Sequence, residues 1–387
     1  MLLIKDCCDI FPKTYMSDRF DSHLLFCNNN LYLYIKNGIL KISINDQPEM
    51  NYYHFHNKFL TYEKKPLIVN SHFFHIGTFN NNEIDKDTMY LLKTDYTLNN
   101  IWYKSLGRND SFHRFISTES GHIYISSYLR HTESGRLRCF DSEGNELWDQ
   151  IKESRKLDVE IGCALLDDRI LLPIQHDYSI TSFDIINSKG DTVESYDTYP
   201  QNKHCYRKNS ISIHKDKNKN ILILTQNPAQ PPLFTPDTIF MILSPFGECL
   251  KIMHKELFVD NIHYYDLSKT VFCSCEYTHP FTSFIRYFDC FSNEERCLFA
   301  MPGWTTGMKI VFYKENYYLF SNSSNYTNNQ SIFVFDQYFR LQYIHPTGLE
   351  YAVDMIIVND HIFILTQEKL KIFNIITGSG RMADVVV

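Results

Sequence analysis

Apolar and aromatic residues in this chain come in short runs, each entered from a polar turn. Eight of the runs open at nearly even intervals, near Leu31, Phe73, Ile123, Ile170, Ile221, Val271, Tyr317 and Ile362. Runs of this length, rich in Val, Ile, Phe and Tyr, read as strands. A strand-built period of roughly 40–50 residues marks four-stranded blades in a closed ring. The expected fold class is therefore all-β: a single β-propeller over residues 1–387, with eight four-stranded blades opening near residues 23, 60, 111, 158, 209, 261, 307 and 351. Seven blades is the alternative, if the first or last unit only covers the ring. Closure is expected to bring residues 2–5 near residues 381–387, because an unpaired blade edge invites aggregation.

The third unit shows the build most clearly. Glu119-Ser120-Gly121 leads into Ile123-Tyr124-Ile125, a loop at 130–135, then Leu137-Arg138-Cys139-Phe140, a tight turn at 141–144, and a last strand carrying Leu147 and Trp148. Asp at the first position of a type I turn caps its own backbone, and Gly at the fourth accepts positive φ. The turn recurs at 187–190 and 244–247, and Phe183-Asp184, Phe288-Asp289 and Phe335-Asp336 repeat the Phe140-Asp141 pair. The four phenylalanines are expected at equivalent buried positions between blades.

The unit ending Asp141-Ser142-Glu143-Gly144-Asn145-Glu146-Leu147-Trp148 resembles the repeat of pyrroloquinoline-quinone-type and WD-like β-propellers, with weaker copies over most of residues 23–378. The resemblance implies a propeller in which a Trp docks on the neighbouring blade. Unit two ends similarly at Ile101-Trp102, and the other units lack a Trp there. Cofactor use does not carry over: the quinoprotein enzymes of that kind are exported and pair calcium and a vicinal disulfide with the quinone, whereas the adjacent Cys7 and Cys8 precede the first blade here. No cofactor is expected.

Segments 24–27, 112–117, 159–166, 210–214, 309–313 and 352–358 read as first strands lining a central channel. Long connections between second and third strands, at 79–87, 130–135, 226–237 and 321–330, would share one face of the disc, where loops usually carry function.

Composition narrows the classes. No run approaches the roughly 18 apolar residues of a membrane helix, and Met1 to Lys5 followed by Asp6 lacks the basic start and apolar length of a signal peptide, so a cytoplasmic protein is expected. The 11 cysteines are odd in number and scattered, as buried thiols in a reducing compartment would be. A net charge of −7 argues against broad nucleic-acid binding, and the basic cluster Lys203, Arg207, Lys208 with Tyr206 is too small to change that.

Phosphate-cradling loops, a nucleophile elbow and an H-E-x-x-H helix are all absent from the sequence. His54 with His56, and Cys273 with Cys275, each alternate to one face of a strand and offer two ligands without a third or fourth. Glu83, Asp85 and Asp87 alternate in a loop that lacks the Gly and distal Glu of a calcium site. No metal is expected. The Pro-rich segment 227–236, with Pro228, Pro231, Pro232 and Pro236 around Leu233 and Phe234, is the most unusual stretch: prolines stiffen a loop and lower the entropy lost on binding.

Two functions follow from different classes. The first is a non-catalytic propeller, monomeric by itself, that holds a protein partner on its loop face through Leu233, Phe234, Pro231, Pro232, Tyr326, Asp85 and Asp87. Its most concrete form is a bacterial immunity protein or antitoxin whose acidic surface covers the basic active site of a toxin. The alternative is an enzyme working in the central channel, with His176, Asp177, His214, His263 and Tyr265 as first suspects.

Overall fold

In the computed structural model the described residues are 2–10, 23–35, 38–43, 50–55, 59–61, 66–79, 88–108, 110–129, 132, 134–152, 156–157, 162–176, 179–197, 210–227, 237–255, 259–264, 266–276, 282–302, 305–323, 330–349, 352–366 and 370–377. They form eight four-stranded antiparallel sheets, the blades of an eight-bladed β-propeller fold. The sheets open with strands His23–Cys27, Phe59–Thr61, Asp110–Ser117, Lys156–Leu157, Ser210–Lys215, Val259–Tyr264, Thr305–Tyr313 and Ala352–Val358. In the second and fourth the first strand comes in two pieces: Leu67–Val69 joins Phe59–Thr61 on His72–Phe79, and Cys163–Ala164 joins Lys156–Leu157 on Ile170–His176.

The eighth sheet draws on both ends of the chain. Its last strand is Leu2–Ile10, which pairs antiparallel with Leu370–Thr377 from Leu2 opposite Thr377 to Ile10 opposite Leu370. The N-terminal strand thus covers an edge that would otherwise present unpaired N–H and C=O groups. The expected partner segment, 381–387, lies outside the described residues. First and last sheets each carry four strands, so the count is eight rather than seven.

The residues group into two compact units, one of Met1–His54, Val271–Tyr287 and Glu295–Val387, the other of Phe55–Thr270 and Phe288–Glu294. In the first, Leu24, Leu31 and Leu33 pack with Phe363, Leu365 and Ile372, and Tyr318 and Phe320 pack with Ile362, Ile364 and Phe373. In the second, Ile123 and Ile125 join Phe74, Ile76 and Leu91, while Tyr124 between them joins Ile170 and Leu172. Alternate residues of one strand therefore enter cores on opposite sides. Both faces are buried, which is why the strands read as unbroken apolar runs rather than an apolar–polar alternation.

Register corrects the repeat at one point. Phe140 stands opposite Ile123 at the head of the second strand, and Phe335 stands opposite Tyr317. In the fourth sheet the residue opposite the equivalent Ile170 is Ile186, not Phe183. All four phenylalanines are buried. An offset of three residues, however, reverses the face: Phe183 packs forward onto Ile221 and Ile223 of the fifth sheet, whereas Phe140 packs back onto the second.

One turn recurs throughout. Its first side chain accepts the N–H groups two and four residues ahead: Asp95 from Thr97 and Asn99, Asp141 from Glu143 and Asn145, Asn187 from Lys189 and Asp191, Asp216 from Asn218 and Asn220, Ser244 from Phe246 and Glu248, Asp336 from Tyr338 and Arg340. The fourth residue is left-handed. Gly144, Gly190 and Gly247 accept that freely, but Leu98, Lys219 and Phe339 hold it too, at φ of 60°, 65° and 59°.

These turns are sockets for the preceding sheet. Trp102 lies over Gly144, where an added Cβ would come within 2.8 Å of the indole. Lys93 donates to the Ser142 carbonyl at 2.9 Å, and Lys104 to the Gly144 carbonyl at 2.7 Å. One sheet on, Trp148 Nε1 donates to the Ser188 carbonyl at 2.7 Å. The tryptophan docking implied by the resemblance is seen at Trp102 and Trp148, whereas the third tryptophan, Trp304, lies outside the described residues. Gly144→Ala is expected to lower stability by about 2–4 kcal/mol, from a strained φ and a clash with a rigid ring. Gly190→Ala should cost less, because its nearest obstacle is the far end of the Gln150 side chain at 2.4 Å. Urea denaturation of the two variants checks this; equal losses would mean the indole can yield.

Two histidines, the buried His75 and the half-buried His214, contribute to the response to acid. Burial holds the His75 ring at about 3 and the His214 ring at about 4, both below the ordinary imidazole value. Their folded pKa values are depressed, so their contribution is complete above about pH 6.5 and is lost as pH falls toward the folded values. At Asp95, Asp141 and Asp336 partial burial pushes the carboxyl up, but hydrogen bonds within the turn outweigh it and leave each carboxyl lowered. That second loss begins as pH falls into the ordinary carboxylate range, from about pH 5, and continues down to the lowered folded values. Stability is expected to fall between pH 6.5 and 4.5 by up to about 1.4 kcal/mol per pH unit for each histidine. His75→Met should remove one histidine's share of that slope in urea titrations across this range, and an unchanged slope would refute the assignment.

Candidate functional site

The residues proposed from sequence as a partner surface, Leu233, Phe234, Pro231, Pro232, Tyr326, Asp85 and Asp87, lie outside the described residues. The strands flanking the Pro-rich segment are described: Asn227 pairs with Asp237, so the segment between them starts and ends on one hairpin. Of the channel suspects, His214 is half-buried on Ser210–Lys215, with its Nε2 buried and lacking a partner. His176 and His263 fall on strands without described side chains, and Asp177 and Tyr265 lie outside the described residues. His54 is exposed, with its ring edge-on to Tyr52. His56 lies outside the described residues, as do the side chains of Cys273 and Cys275. Among the described residues no group of three or more His, Cys, Asp or Glu could hold a metal ion.

Ser120, His122 and Asp168 come together between the third and fourth sheets, a combination the sequence reading did not pick out. Ser120 Oγ is 3.3 Å from His122 Nδ1, and Asp168 Oδ2 is 3.8 Å from the same nitrogen. A proton relay needs the hydroxyl on one ring nitrogen and the carboxylate on the other. Both groups here face Nδ1, so the cluster is a polar tie between turns; Tyr124 adds to it by donating to the Asp168 carbonyl at 2.8 Å.

Beside it lies a cavity of about 300 Å³, at the end of the second to fifth sheets where first strands turn into second strands. Asn70, Thr118, Leu166 and Lys219 reach it from four separate turns, and Pro245 reaches it from the turn that closes the fifth sheet. Leu166 N–H donates to the Pro245 carbonyl at 3.0 Å, tying that turn to the fourth sheet. Lys219 Nζ bonds Glu119 across the opening, although the two stand two sheets apart. Lys215 Nζ bonds the Ala164 carbonyl. The lining combines apolar Val69, Leu165 and Leu166 with two ammonium groups and one carboxylate, a mixture that suits binding.

The same end of the fold carries two raised aromatics. Phe246 and Phe291 occupy the third position of successive turns in the fifth and sixth sheets and are 44% and 70% exposed. Ser244 Oγ fixes the Phe246 amide and Asp289 Oδ1 fixes the Phe291 amide. Lys251 from the fifth sheet bonds the Cys290 carbonyl and Asn293 Oδ1, holding the Phe291 turn. The signal that could have found them is an aromatic in the most projecting place of an otherwise polar turn.

No family model matches the chain. No curated protein matches it either. Among solved structures it is similar to a computationally designed protein, Ika8, at 10% identity over 92% of this chain and 97% of that one, with a TM-score of 0.55. An uncharacterized protein from Listeria monocytogenes is similar at 10% identity, covering 87% of this chain and 97% of that one, TM-score 0.51. A eukaryotic initiation factor is similar at 8% identity, covering 88% and 91%, TM-score 0.50. Likeness at such identities concerns the fold alone.

Proposed function

We propose that this propeller binds a protein partner and performs no turnover. The observation that carries the reading is the pair Phe246 and Phe291, large apolar side chains held in solvent on hydrogen-bonded turns. An exposed aromatic on a rigid turn has little conformational freedom left to lose on association, and aromatics dominate binding hot spots. Leu233 and Phe234, with Pro231, Pro232, Tyr326, Asp85 and Asp87, form the second proposed set of anchors.

The repeat belongs, on this reading, with the pyrroloquinoline-quinone-type and WD-like propellers, as the docking of Trp102 and Trp148 on neighbouring turns supports. Six free cysteines among the described residues, Cys139 and Cys290 fully buried, favour a reducing, cytoplasmic setting. The net charge of −7 fits a basic partner, and an immunity protein or antitoxin against a toxin is the narrowest form of the proposal.

The test is to co-express the chain with the product of the adjacent gene and measure the dissociation constant. Phe246→Ser with Phe291→Ser, or Leu233→Ser with Phe234→Ser, is expected to weaken the complex by more than about 2 kcal/mol, roughly thirtyfold, while thermal unfolding stays unchanged. Full affinity in both double variants would remove these anchors from the interface, and turnover of a small molecule by the purified protein would end the binding-module reading.

A further inference from the structure

We propose that the cavity at the turn end of the second to fifth sheets binds a small organic carboxylate with an apolar tail. This inference does not rest on the protein-binding reading. The cavity volume of about 300 Å³ equals the bulk volume of about ten water molecules, which limits the ligand to on the order of ten heavy atoms. Its wall offers the edges of Val69, Leu165, Leu166 and Pro245 to a short apolar tail, set among the polar Asn70, Ser117 and Thr118. Its polar rim carries Lys215 and Lys219 against Glu119 alone, an excess of one positive charge, which matches a single carboxylate.

The Glu119–Lys219 pair shows how a carboxylate would be received. Glu119 stands on the turn of the third sheet and Lys219 on that of the fifth, so the ion pair spans the cavity opening over the intervening turn of the fourth. The protein already seats a carboxylate on the Lys219 ammonium. Both partners are largely exposed, with side chains 66% and 47% accessible, and an exposed pair of this kind is worth little. An incoming carboxylate replaces Glu119 one for one, Glu119 returns to water, and the tail leaves water for the apolar wall. The exchange is nearly neutral in charge terms, so the buried tail supplies the net gain. Lys215 stays on the Ala164 carbonyl and holds the wall in place.

The test titrates hexanoate into the intact chain, with hexanol and hexylammonium as controls, following thermal unfolding and the backbone amide signals of Thr118, Leu166 and Lys219. Hexanoate is expected to raise the melting temperature saturably and shift those three signals, and the controls to do neither. Glu119→Gln should tighten hexanoate several-fold by removing the internal competitor. Lys219→Asn, which keeps a residue that tolerates the left-handed backbone at this position, should abolish binding, and Lys219→Arg should restore it. A response to hexanol equal to that to hexanoate, or unaltered affinity in Lys219→Asn, would overturn the proposal. If Lys219→Asn unfolds at a lower temperature without ligand, Glu119→Gln decides alone: affinity that stays the same or weakens overturns it.

Discussion

The structure depends on how each turn between third and fourth strands disposes of its backbone polar groups. Such a turn sits at a sheet end without strand partners, so its amides and carbonyls need other ones. The amides are taken inside the turn by the first side chain, as Asp141 takes those of Glu143 and Asn145. The carbonyls are left facing the preceding sheet, which answers with a cation or an indole: Lys93 and Lys104 for the turn at Asp141, Trp148 for that at Asn187, Lys251 for that at Asp289. A turn that folds correctly is therefore also a correctly shaped socket. Lysine suits the role because its methylene stem lies on apolar surface, as Lys93 does beside Phe74 and Trp102, while its head reaches the carbonyls.

This seam explains why the ends of the blades can carry function. Backbone bound on one side by its own side chain and on the other by the next sheet has little freedom, so whatever projects from it is pre-organised. Phe246 and Phe291 project from such turns. The cavity is assembled in the same way, from short tight turns of consecutive sheets whose relative positions the seam fixes. Tightness has a local cost: Lys219, at the cavity, holds a left-handed backbone that glycine adopts more easily.

Burial of both sheet faces makes the opposite demand in the middle of each blade. Polar groups on the central strands therefore tend to find partners there: Tyr124 sends its hydroxyl to the Asp168 carbonyl, and His75 lies neutral, with Nε2 3.0 Å from Thr94 Oγ1. Buried groups that do carry charge are paired, as Lys93 is with Glu143 and Asp354 with Lys309, whereas His75 stays uncharged and contributes to the acid sensitivity of the fold.

The amino-acid sequence by itself determined the strand-built period, a ring of seven or eight blades, and the turn motif wherever glycine marked its fourth position, while the four strands of the first and last sheets decided for eight. These are local properties: strand propensity and positive φ are written in single residues. The same turn at Asp95, Asp216 and Asp336 was hidden because Leu98, Lys219 and Phe339 take the left-handed position without announcing it. The misplacement of Phe183 has a related cause, since a Phe-Asp pair looks alike on either face and only strand register tells which core it enters. Tertiary structure alone decided that residues 2–10 complete the last sheet on Leu370–Thr377, that the Ser120, His122 and Asp168 groups share one ring nitrogen, and that Glu119 and Lys219 meet across a cavity. Each of these joins residues far apart in the chain, and no local preference records a contact that exists only once the sheets have packed.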